Sequence, residues 1–156
     1  MGSEGRIGAR GRIEVAIALS CALGLSAVAS AEPAAAGPRR HLLALINEAR
    51  VAHDVRPVRL ASRASRLAER HSERMARAGR VFSSGEDYPY RHWGEDVSCG
   101  RTIHGAHRKI LGDPVARRTL LGPRYRRVGI GIATTRPRLR SCRRAAYWVT
   151  EVFFRA

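Results

Sequence analysis

The side chains best suited to chemistry sit in the middle of the chain. His92 stands three residues before Glu95, His104 and His107 are spaced i,i+3, and Ser83 and Ser84 lie just upstream. Imidazoles and a carboxylate can share a divalent ion, the neutral rings acting as borderline ligands while the carboxylate balances the cation. A pair of histidines on one helix face is a weak signal without a third ligand at defined spacing, so a surface or capping role is expected for His104 and His107. Ser83 or Ser84 with His92 and Glu95 would make a nucleophilic triad on paper, yet no G-x-S-x-G elbow accompanies them. Glu95 has two readings, a cleft carboxylate or an acceptor that ties a loop to backbone N–H groups, and the second is favoured.

These residues must be positioned by elements that the hydrophobic pattern predicts. Leu42, Leu43, Leu45, Ile46 and Ala49 recur at helical spacing from Arg39 to about Val51, and Arg56-Pro57-Val58 stops that helix. A second helix spans about Ala61 to Ala78, with Ala64, Leu67, Ala68, His71, Met75 and Ala78 on one face and Gly79 closing it. His71 in that stripe is expected to be a hydrogen-bonded core residue. The opposite face carries Arg63, Arg66, Arg70, Arg74 and Arg77, but Glu69 and Glu73 lie among them as helix partners, the pattern of a solvated face.

Phe82 to Trp93 reads as a loop, Ile103 to Leu111 as a helix, and Asp113-Pro114 as the cap and first residue of a short helix ending at Gly122-Pro123. Val128 to Ile132 alternates apolar residues with glycine, as in a strand that something approaches closely. Ala145 to Phe154 reads as a buried strand, and Thr135 to Arg144 as a long hairpin connection. Helices come first and strands last, which predicts an α+β fold with helices covering an antiparallel sheet.

The N-terminus reads as an export signal. Arg6, Arg10 and Arg12 are followed by an apolar run from Val15 to Val28, containing Cys21, and by Ala29-Ser30-Ala31 as a cleavage site. That run is shorter than the roughly 20 residues needed to cross a bilayer. Residues 1–31 are therefore expected to be removed, 32–38 to form a flexible leader, and 39–156 to form the domain. Cys99 and Cys142 then remain, and in an oxidising compartment they are expected to form a disulfide constraining the unfolded chain by about 4 kcal/mol.

With 156 residues and a net charge of +16, one domain fits and a large multidomain enzyme does not. A hydrophobic fraction of 44% excludes wholesale disorder. Of the 29 basic residues only Lys109 is lysine, a skew that codon composition can produce, so arginine number is not a functional signal. Specific nucleic-acid binding has charge in its favour but no fold motif or aromatic stacking platform.

Several motifs in order resemble the CAP superfamily of cysteine-rich secretory proteins, antigen 5 and pathogenesis-related proteins, in its short bacterial SCP-like form. Gly94-Glu95-Asp96-Val97 is similar to the family's G-E-N-[IV] element. Asp113 to Leu121, with Tyr125 and Val128-Gly129-Ile130-Gly131, resembles S-P-G-H-R-x-N-I-L followed by F-x-x-V-G-V-G. Tyr147-Trp148-Val149-Thr150-Glu151-Val152-Phe153 resembles the closing Y-W-V-T-Q-x-F strand. The stretches Leu45-Ile46-Asn47-x-x-Arg50 and Ala68-x-x-His71-x-x-x-Met75 match the opening, so the likeness runs from about Leu42 to Phe154.

The resemblance implies a three-layer α-β-α sandwich with a small antiparallel sheet and a cleft in which, in members with a complete site, two histidines and acidic residues can hold a metal. Here Ser84 replaces the histidine of a Phe-Ser-His element and Ala116 the histidine of H-R-x-N-[IL]-L, leaving Glu95. The cleft candidates are thus Glu95, Ser84, Ala116 and His92, with no catalytic residue, metal or cofactor expected. The functional expectation is an exported, monomeric, non-catalytic binding module for a small hydrophobic, peptide or anionic envelope ligand. The alternative is a hydrolase pairing Glu95 with a relocated histidine.

Overall fold

A computed structural model describes residues 36–135 and 147–155, all within the unit Glu32–Ala156. The expected export signal, Cys142 and nearly all of the hairpin connection lie outside the described residues. Among the described residues, no helix is long and apolar enough to cross a membrane.

Helix α1 spans Ala36–Val51 and so begins ahead of the expected start at Arg39. Strand β1, Arg59–Leu60, follows the proline stop. Asn47 secures that turn, its Nδ2 donating to the Val58 carbonyl at 3.1 Å and its Oδ1 accepting from the Val58 N–H at 2.8 Å. Helix α2 covers Ser62–Ala78 and ends at Gly79, whose φ of 65° provides the left-handed cap that a side chain would resist. Strand β2 is Trp93–Gly100, α3 is Ile103–Gly112, and α4 is Pro114–Leu120. Strands β3, Arg127–Thr134, and β4, Tyr147–Phe154, complete the domain.

The sheet order is β1-β3-β4-β2. β2, β4 and β3 are antiparallel neighbours, as the sequence pattern led one to expect, while the short β1 adds a parallel edge beside β3. The class is α+β with a mixed sheet.

Strand alternation divides the interior into two layers. Gly129 and Gly131 face α2, and a Cβ at Gly131 would lie 2.1 Å from the Ala68 backbone carbon. The glycines therefore let helix backbone rest directly on strand backbone. Val128, Ile130 and Ile132 face the other way and join Leu42 and Ile46 of α1, Ile103 and Ile110 of α3, and Leu120 of α4 in the main core. On the α2 side Met75 packs with Cys99 and Trp148, and Ala68 with Tyr88 and Val152.

Two details of α2 differ from the apolar pattern. Ala78 is exposed, whereas Ser65 and Ser72 are buried. The serines are tolerated because each is used: Ser65 Oγ accepts the Ile130 N–H at 3.1 Å, and Ser72 Oγ donates to Thr150 Oγ1 at 2.9 Å.

Candidate functional site

Glu95 is paired in register with Val152, which is paired with Gly129, so all three side-chain directions lie on the α2 face of the sheet. The loop between α2 and β2 folds over this carboxylate and supplies its donors. Oε2 accepts from Ser83 Oγ at 3.1 Å and from the Ser84 N–H at 2.8 Å, while Oε1 accepts from the Tyr88 hydroxyl at 2.7 Å. Burial, and then the bond to Glu95, push the Tyr88 hydroxyl well above the ordinary phenol range, so Tyr88 remains a donor. Ser84 Oγ is itself engaged by the Glu86 N–H at 3.2 Å.

Glu95 also lines a cleft of about 460 Å³ that it shares with the apolar Val81, Val97, Ile110, Val115 and Ala116 and with the polar Asp96, Ser98, Lys109 and Asp113. Ala116 is placed by the cap of α4: Asp113 Oδ1 accepts the Val115 N–H at 2.8 Å and the Ala116 N–H at 2.9 Å. Glu95 thus shares the cleft lining with Ala116 and bonds the Ser84 N–H, while Ser84 itself is not part of that lining.

The histidines do not join them. His92 is exposed in the turn leading into β2, with a φ of 47°, and borders a separate depression with Tyr90 and Phe154. Its place among the cleft candidates is corrected accordingly: sequence proximity to Glu95 does not survive the turn and the strand alternation. His104 is exposed on α3, whereas His107 is buried and reaches the Leu45 carbonyl of α1. Burial, and then His104, lower the His107 pKa to about 4, so this imidazole is neutral in the interior rather than on the surface as expected. His71 is the core histidine the pattern suggested. Its Nε2 lies 2.8 Å from the Phe82 carbonyl and its Nδ1 accepts from Arg74 at 3.1 Å, which fixes the Nε2–H tautomer.

The geometry does not suit the metal that the resemblance implies for a complete site. Both Glu95 oxygens are already taken by donors, the Ser84 hydroxyl serves a backbone N–H, and Ala116 has no ligand atom. Among the described residues, no group of three or more His, Cys, Asp or Glu side chains could hold an ion.

Two features of the opposite face escaped the sequence reading. Arg50 is fully buried, and its guanidinium donates to the carbonyls of Arg56 at 2.8 Å, Leu120, Gly122 at 3.2 Å and Tyr125 at 3.3 Å, tying the end of α1 to the α4–β3 connection. Asp96 and Glu151 are also buried and are direct cross-strand partners. The available signal was a charged residue in the middle of each of two strands whose neighbours are core residues.

The sequence matches the CAP model, the cysteine-rich secretory protein family, over residues 43–153. The chain belongs to the CAP family. Solved structures agree at the level of fold. A Bacillus anthracis extracellular protein containing an SCP domain is similar with a TM-score of 0.59 and 18% identity, over 77% of this chain and 41% of its own. An outer surface protein of Borrelia burgdorferi gives a TM-score of 0.62 at 11% identity, over 78% of this chain and 95% of its own. Venom allergen-like protein 4 of Schistosoma mansoni gives 0.57 at 11% identity, over 76% and 88%. This CAP chain therefore spans less than half of the Bacillus anthracis protein. No curated protein sequence matches it.

Proposed function

We propose that this CAP domain is exported and binds, rather than transforms, an amphiphilic ligand of the envelope or extracellular space, a lipid or a peptide with an anionic group. The observation that carries the reading is the state of Glu95: its carboxylate serves as a structural acceptor for Ser83, Ser84 and Tyr88, at the edge of a cleft whose walls mix apolar and polar side chains. A carboxylate so engaged holds a loop in place, with three of its roughly four acceptor positions taken by that loop. The hydrolase alternative needs an imidazole beside Glu95, and no described histidine lines the cleft.

Charge supports the anionic part. Arg63, Arg66 and Arg70 form an exposed row on α2 and make no ion pair among the described residues, whereas Arg74 and Arg77 are paired with Glu86 and Glu73. Such a row raises the local concentration of anions without specifying one. Export is supported by the N-terminal signal pattern, and a Cys99–Cys142 disulfide belongs to the same proposal.

The test is calorimetry and sedimentation on the purified protein with zinc chloride and with vesicles of anionic or zwitterionic lipid. No zinc binding is expected, together with anionic-vesicle binding that Ala116→Trp weakens by filling the cleft. Zinc binding that Glu95→Gln abolishes would overturn the reading. Vesicle binding unchanged by Ala116→Trp but lost in Arg63→Glu/Arg66→Glu/Arg70→Glu would reduce it to surface attraction and remove the cleft from it.

A further inference from the structure

Asp96 and Glu151 face each other across β2 and β4 on the side of the sheet covered by α3 and α4, with Ile130 of β3 next in register beside Glu151. Asp96 is 3% exposed and Glu151 is fully buried. Thr119 of α4 hydrogen-bonds the Asp96 side chain, but among the described residues Asp96 Oδ2 and both carboxyl oxygens of Glu151 have no hydrogen-bond partner. The surrounding charged groups do not compensate them. Lys109 of α3 directs its Nζ to the Cys99 carbonyl at 2.8 Å, and Arg50 of α1 is committed to carbonyls. His107 of α3 is buried and neutral, while Asp113 at the start of α4 and Glu95 on the reverse of β2 add negative charge. Two facing carboxylates here would be uncompensated buried anions, whose desolvation costs several kcal/mol each.

We infer that Asp96 and Glu151 form a buried proton-binding pair that keeps the folded domain stable in acid and weakens the β2–β4 contact as the pH rises above neutrality. The pair also stands behind the cleft wall, since Asp96 borders the cleft. The inference does not depend on what the cleft binds. Burial raises the Asp96 carboxyl to about 8, and burial together with Asp96 raises Glu151 well above the ordinary range. The direction follows from linkage. A carboxyl that is protonated when folded and ionised when unfolded contributes stability that is complete below its unfolded pKa and is lost as the pH rises through the folded value. His107 acts with the opposite sign, but only below about pH 6.5, where the unfolded imidazole takes up a proton. The diagnostic window is therefore pH 6.5 to 8.5.

Urea unfolding of the purified protein across that window, with and without calcium chloride, tests the pair. For the wild type the folding constant is expected to fall at least about tenfold per pH unit. In Asp96→Asn/Glu151→Gln, which replaces both acids with neutral amides of similar shape, that dependence should vanish. Glu151→Gln alone should reduce it if the double variant does not fold, and carbon-13 NMR of the wild type should show two carboxyls still protonated at pH 6.5. A flat or rising wild-type profile, an unchanged slope in the variants, or all carboxyls ionised at pH 6.5 would overturn the inference. So would calcium that abolishes the wild-type slope, because the acids would then hold a cation instead of protons.

Discussion

Adjacent residues of β2, Glu95 and Asp96, project to opposite faces of one sheet and meet opposite treatment. On the α2 face the loop brings three donors to Glu95, so its negative charge is used to fasten Ser83, Ser84 and Tyr88. On the other face Asp96 and its partner Glu151 are buried, with three oxygens that no donor among the described residues serves. Donors are pre-arranged on one face, and on the other, where they are lacking, the interior favours the neutral acid. The same face treats a cation differently again: Arg50 is buried without a counter-ion because carbonyls receive its N–H groups.

Changes on each side should separate these cases. Arg50→Met removes a donor from four carbonyls, of which Gly122 keeps the Tyr125 N–H and Tyr125 keeps Arg126, and should cost about 3–5 kcal/mol by urea unfolding. A loss below about 1 kcal/mol would mean that water replaces the guanidinium. Next in size, Asp96→Asn/Glu151→Gln should stabilise the protein by about 1–4 kcal/mol at pH 8, with the gain shrinking as the pH falls. Destabilisation at pH 8 would erase the contrast between the two faces. Glu95→Ala should cost about 1–3 kcal/mol because it strands Ser84 N–H and the Tyr88 hydroxyl, while Glu95→Gln, keeping one acceptor, should cost less. Equal losses from both variants would show that charge rather than acceptor geometry matters there. The smallest effect belongs to His107. Its folded pKa of about 4 lies below the usual 6.5, so its contribution is present above pH 6.5 and is lost on acidification. His107→Gln should recover about 1–2 kcal/mol at pH 5 relative to neutral pH, as read from paired denaturation curves.

Much of the architecture was legible in the chain. The end of α2 at Gly79, the Asp113-Pro114 start of α4 and the glycine-interrupted β3 are local features with local causes, and each stands where the pattern put it. The Glu95–Ser84 bond and the cleft that Glu95 shares with Ala116 join a strand to a loop and to a helix, which spacing along the chain cannot specify. His92 and His107 were misplaced because spacing along the chain says nothing about a left-handed turn or about which side of α3 meets α1. β1 escaped because two residues carry no periodicity.

Residue type and spacing by themselves determined the helices, the caps at Gly79 and Asp113, and the apolar strands, because each of these depends on near neighbours in the chain. Only the tertiary structure decided that Glu95 is spoken for and that Asp96 meets Glu151. Hydrogen bonding and desolvation depend on which groups are brought within a few ångströms, and strand register sets that for residues that lie far apart in sequence.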